Sequence, residues 1–84
     1  MDVIPLFFYR TAVMAEIVCI KLGKRIRALR LQRKLTQEEL ADRSGISTKY
    51  LQNLEGKTPK LASIVTLEKL AKGFGLSLSE LLKF

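Results

Sequence analysis

Hydrophobic residues recur along most of this chain at three- and four-residue intervals, with little of the strict alternation a strand would show. Leu22, Ile26 and Leu29 stand at i, i+4 and i+7, with Lys24, Arg25, Arg27 and Arg30 between them. This pattern predicts an amphipathic helix that begins near Leu22 and ends near Lys34. Thr36 then opens "TQEE", a capping box in which the threonine caps the helix and Glu39 reaches back. The second helix turns Leu40 and Ala41 inward and stops at Gly45, where the chain needs positive φ. Ser47 caps a third helix, Thr48 to Glu55, which "GKTPK" closes with Gly56 and Pro59. Ser63 starts a fourth, with Ile64, Leu67, Leu70 and Ala71 as its apolar face and Gly73 and Gly75 as its end. Ser77 to Glu80 is a further capping box, opening a last helix that carries Leu78, Leu81 and Leu82. The predicted fold class is all-α, with five helices.

The first 19 residues read differently. They are rich in Val, Ile, Phe and Tyr, and Pro5 disfavours a helix around it. Met14 followed by "AE" has the look of a start codon, which would make residues 1–13 an upstream extension. The division expected is a hydrophobic N-terminal extension of unknown role, residues 1–19, and one domain, residues 20–84. An exposed "PLFFY" would be a sticky patch, so the extension is expected to pack on the domain or on a second copy. The run "VIPLFFY" falls far short of the ~20 residues a membrane span needs. Asp2, Arg10 and Glu16 also spoil a signal peptide, and a cytoplasmic location is expected.

Charge sharpens this picture. Eighty-four residues suit one small domain, and 15 Lys and Arg stand against 8 Asp and Glu for a net charge of +7. Residues 21–60 hold 11 basic and 4 acidic side chains, +7 in that stretch, while residues 1–20 sum to −1 and residues 61–84 to +1. Such concentration suits a surface facing a polyanion, although a basic face kept for solubility has the same signature. Catalysis has little to work with. There is no His, and one Cys builds neither an internal disulfide nor a multi-Cys zinc site. Cys19, among Ile17, Val18 and Ile20, is expected to be a buried thiol. Glu38, Glu39 and Asp42 share one exposed helix and balance charge there. No enzyme, metal or cofactor is implied.

The unit that carries function is residues 37–56. Two short helices joined by a tight turn cross steeply, which demands a small residue in the first; Ala41 supplies it. Gly45 supplies the turn, and Ile46, Leu51 and Leu54 stand where the second helix must lock onto the first. Five such positions at fixed spacing make the helix-turn-helix pattern.

Through "LGKRIRALR", "LTQEELADRSGIS", "YLQNLEGK" and "TLEKLAKGFGLSLSELL", residues 22–82 resemble the Cro/C1-type (XRE-like) helix-turn-helix family. That family includes phage repressors, restriction–modification controller proteins and many small bacterial regulators. The resemblance implies a five-helix lambda-repressor-like DNA-binding domain, with residues 1–19 outside it. Between Glu55 and Thr66 the chain departs from the family pattern, with the usual proline displaced to Pro59 and one extra residue.

In relatives the second motif helix enters the major groove, which makes helix 48–55 the recognition helix and Thr48, Lys49, Gln52 and Asn53 its base-facing candidates. Lys donates to guanine O6 and N7, Asn pairs with adenine bidentately, and Thr offers a hydroxyl and a methyl to thymine. Gln37 resembles the family glutamine that meets a backbone phosphate at a helix N-terminus. Ser47, Tyr50, Lys57 and Lys60 are further phosphate candidates, although Tyr50 serves equally as a half-buried packing residue. The resemblance also pairs Arg30 with Glu55, primarily to fix the recognition helix. Lys24 and Arg27 read as a solvated face.

Relatives commonly dimerise through the last helix, placing two recognition helices about 34 Å apart, one turn of DNA. Leu78 and Leu81 suit the monomer core, leaving Leu82 and Phe84 for a partner. The function implied is that of a sequence-specific regulator, repressor or controller, binding a two-fold operator on double-stranded DNA as a homodimer. The alternative is a protein-interaction module or antitoxin-type component that uses the same fold as scaffold.

Overall fold

The computed structural model describes residues 6–56 and 62–84, with side chains from Met14 onward. Among these residues five helices follow one another: α1 (Leu6–Gln32), α2 (Gln37–Ser44), α3 (Thr48–Glu55), α4 (Ile64–Phe74) and α5 (Leu78–Leu81). Local chemistry sets most of these boundaries. Thr36 Oγ1 accepts from the Glu39 backbone N–H at 3.0 Å, and Glu39 Oε1 accepts from the Thr36 N–H at 3.1 Å. The same reciprocal pair joins Ser77 to Glu80 at the start of α5. Ser47 and Ser63 cap α3 and α4 by accepting from the Tyr50 and Thr66 N–H groups. Each side chain thereby satisfies a donor that the first helical turn leaves orphaned. Gly45 and Gly75 end α2 and α4 at φ 70° and 72°. Lys34 makes the corresponding reversal after α1 at φ 56°, in the one left-handed non-glycine conformation among the described residues.

One core joins all five helices. Ile26, Leu40, Leu51, Leu70 and Leu81, one from each element, are fully buried. Leu22, Leu29, Leu35, Leu54, Leu67 and Phe74 fill the space between them. Two glycines set close approaches. A Cβ on Gly23 would strike the Leu54 carbonyl oxygen, so this bare backbone lets α1 lie against the end of α3. A Cβ on Gly73 would strike the buried Ser44 hydroxyl, which brings α4 against α2.

Several expectations change. The first helix begins at Leu6 and not near Leu22, because Pro5 precedes it and a proline breaks a helix interior, not its entry. The helix therefore crosses residue 19 without interruption. Its side chains from Met14 to Val18, and Ile20, are exposed, so this stretch does not pack on the rest of the domain. Cys19 is consequently half-buried, not buried. The expected "PLFFY" contacts lie outside the described side chains. Ile64 is 67% exposed beside Val65, because the first turn of α4 projects past the core, and Phe74 completes the apolar face instead. Gly73 does not end α4, which runs on to Phe74 and stops at Gly75 alone.

Candidate nucleic-acid interface

Leu51 and Leu54 bury the inner side of α3. At about 100° per residue the outer side then centres on Lys49, with Gln52 and Asn53 on either hand and Thr48 toward the flank. Lys49 and Gln52 are exposed, while Thr48 and Asn53 are half-buried. Ala41 is buried where α2 and α3 cross, and Gly45 makes the left-handed turn between them. Ile46, at that turn, packs half-buried on the core.

The far end of α3 is held by an ion pair. Arg30 Nη2 donates to Glu55 Oε1 at 2.9 Å and Arg30 Nε to Oε2 at 3.0 Å, while Nη1 donates to the Leu35 carbonyl at 2.9 Å. The guanidinium thus ties together α1, the turn after it and α3. A bidentate, water-poor arrangement of this kind is more directional than an ordinary surface pair. Gln37, half-buried at the start of α2, turns its amide toward the same carboxylate at a long 3.4 Å. These groups border a cleft of about 410 Å³ lined by Arg27, Arg30, Thr36, Gln37, Gln52, Glu55 and Gly56. The cleft brings the phosphate candidate Gln37 next to the base-facing candidate Gln52.

The remaining candidates are dispersed around this surface. Ser47 is exposed, with its oxygen engaged as the α3 cap. Tyr50 is half-buried against the core. Lys57 and Lys60 lie outside the described residues, as does Pro59. At the C-terminus Leu82 and Phe84 are exposed, whereas Leu81 is fully buried and Leu78 half-buried.

Two arginine roles escaped the sequence reading, while Arg27, exposed as expected of a solvated face, also borders the cleft between α1 and α3. Arg25 donates to the Leu81 and Glu80 carbonyls at 3.3 and 3.0 Å, closing the end of α5. Arg33 stacks over the Phe74 ring at 5.3 Å. Arg25 and Arg27 stand about 200° apart on α1, so their spacing assigned them to different sides of the helix but did not show which distant element lies opposite each.

The Thr36 backbone N–H, then its hydroxyl, hold the Glu39 carboxyl below the usual carboxylate range, and Ser77 does the same to Glu80. Among the described residues no cluster of three or more His, Cys, Asp or Glu could hold a metal ion, and no helix is long and apolar enough to cross a membrane.

Comparison with known proteins accords with this geometry. A helix-turn-helix family model matches residues 26–81. The chain is 40% identical over 58 residues to the immunity repressor protein of Bacillus phage phi105, across 69% of this chain and 40% of the repressor's length. It is 40% identical over 60 residues to an HTH-type transcriptional regulator of Sinorhizobium fredii, across 71% of this chain and 77% of the relative. Among solved structures, the restriction–modification controller protein C.AhdI of Aeromonas hydrophila superposes with a TM-score of 0.70 at 35% identity, covering 75% of this chain and 94% of that one. C.Esp1396I bound to a 19-base-pair DNA duplex superposes with a TM-score of 0.69 at 29% identity, covering 77% of this chain and 89% of that one. With its five-helix lambda-repressor-like fold, the chain belongs to the Cro/C1-type (XRE-like) helix-turn-helix family of DNA-binding transcriptional regulators.

Proposed function

We propose that this chain is a sequence-specific repressor or controller that binds a two-fold operator as a homodimer in the cytoplasm. In this reading α3 enters the major groove, where Thr48, Lys49, Gln52 and Asn53 meet base edges. Gln37 and Ser47 hold backbone phosphates beside it, with Tyr50 at the margin, and Lys57 and Lys60 are further phosphate contacts of this proposal. The observation that carries the reading is the outer face of α3: Lys49 and Gln52 are exposed on a helix whose position Arg30 and Glu55 lock. The net charge of +7 supplies salt-dependent affinity through counterion release. The duplex in the C.Esp1396I complex supports the choice of double-stranded DNA. Leu82 and Phe84, exposed beside the buried Leu81, are the dimer contacts of this proposal. Bound across a promoter, such a dimer excludes polymerase sterically.

The second reading, a protein-interaction or antitoxin-type component, draws on the exposed apolar residues Met14 to Ile20 of α1. Fluorescence anisotropy with duplex DNA from upstream of the gene, against a scrambled duplex at two salt concentrations, separates the two. The regulator prefers the upstream duplex, and Lys49→Ala/Asn53→Ala abolishes that preference. Equal, salt-sensitive binding to both duplexes, unchanged in the double variant, favours the interaction module.

A further inference from the structure

Met14, Ile17, Val18 and Ile20 are 57%, 37%, 48% and 42% exposed on the upstream half of α1. Only Glu16 and Lys21 carry charge between residues 14 and 21. A helix apolar around most of its circumference belongs inside something, and none of the described side chains of this chain covers it.

The two sides of this segment lead to different places. Val18 and Arg25 are seven residues apart, about two turns along one side of the helix. Arg25 grips the Glu80 and Leu81 carbonyls, so the side bearing Met14 and Val18 runs on into α5 and its neighbours Leu82 and Phe84. Ile20 lies about 200° around the helix from Val18. With Lys24, Arg27, Glu55 and Gly56, it lines a cleft on the α3 side.

Area and charge identify the occupant. A stable interface removes about 800 Å² per partner. Leu82 and Phe84, 39% and 51% exposed, supply on the order of a quarter of that by themselves. Residues 21–60 carry the whole +7 and oppose the approach of a second copy, whereas residues 1–20 sum to −1. The near-neutral apolar segment is therefore where two such basic chains can meet without mutual repulsion.

Resting on the homodimer reading above, we propose that the protruding half of α1 is part of the dimer interface. A second copy covers Met14 and Val18 in one surface continuous with Leu82 and Phe84, and the Ile20 side stays free next to α3.

Sedimentation velocity of the full chain at micromolar concentration, with Val18→Glu, Ile20→Glu and Leu82→Glu alongside, tests this. The wild type is expected to sediment as a dimer. Val18→Glu and Leu82→Glu each weaken the dimer at least about tenfold, and Ile20→Glu leaves it unchanged. All three positions are exposed, so helical circular dichroism should be retained; Val18→Ser is the milder substitute if Val18→Glu perturbs it. A dimer that Leu82→Glu disrupts but neither Val18 variant weakens overturns the α1 interface and leaves the homodimer standing. Equal weakening by Ile20→Glu overturns the assignment of sides. A monomeric wild type overturns both readings, and one that pellets with phospholipid vesicles assigns the segment to a lipid surface instead.

Discussion

Arg30, in the last turn of α1, holds both carboxylate oxygens of Glu55, the last residue of α3, within 3.2 Å. Their side chains are 11% and 3% exposed, so each is the other's principal counter-charge in a largely dry setting. The pair fixes the angle at which α3 leaves the core, and with it the direction in which Lys49 and Gln52 project.

Breaking one half of this pair leaves a buried charge alone. Arg30→Met is expected to cost about 3 kcal/mol, whereas Arg30→Met/Glu55→Met recovers much of that loss, since both charges are then gone. Urea denaturation of the two single variants and the double variant checks this. Additive losses would mean the two residues do not act as a pair.

Gly23 tests the α1–α3 contact with an inverted sign. Alanine in a helix interior usually stabilises relative to glycine by about 1 kcal/mol. Here its methyl would meet the Leu54 carbonyl, a backbone atom that cannot rotate away. Gly23→Ala is therefore expected to destabilise by about 1–3 kcal/mol, as overpacking does. A thermal melt with a raised midpoint would contradict the close approach.

Lys34 offers a gain. At φ 56° a non-glycine residue sits about 1 kcal/mol above glycine, and its side chain is exposed. Lys34→Gly is expected to raise the melting temperature by about 4–8 °C for a domain of this size. An unchanged or lowered midpoint would count against that backbone conformation.

The capping boxes predict a pH dependence. Glu39 and Glu80 titrate below their ordinary range because the Thr36 and Ser77 N–H groups favour their ionised forms. A carboxyl depressed in the folded state contributes stability that is fully present above its unfolded value, about 4.3. That contribution fades as the pH falls through the lower folded value. The melting-temperature gap between wild type and Glu39→Gln/Glu80→Gln should be open at pH 7 and close toward pH 3. A gap that persists undiminished at pH 3 would contradict the charge-based account.

What could be read from the chain, and what could not, follows the range of each interaction. Thr36, Ser47, Ser63 and Ser77 cap their helices through atoms three residues away, so short sequence windows contained the whole device. The outer side of α3 was legible for the same reason, because Leu51 and Leu54 define its opposite side. Ile64 is apolar and correctly phased, yet exposed, since periodicity tells which residues share a side and not how far the core extends. Gly73 looked like a terminator because the Ser44 hydroxyl it accommodates lies on another helix. The upstream reach of α1 was hidden by Pro5, whose effect on a helix depends on whether it stands before the first turn or within it.

Selection from a pool of random duplexes tests the central claim most directly, with wild type and Lys49→Ala/Gln52→Ala run in parallel at equal salt. The account predicts that wild type enriches one sequence with two-fold related half-sites. The variant should lose that sequence, at a cost of about 1–3 kcal/mol per lost base contact, while keeping salt-dependent affinity for duplex in general. Enrichment of the same sequence by both proteins would show that bases are read elsewhere on the chain. If wild type, like the variant, enriches no sequence, the outer face of α3 does not read DNA.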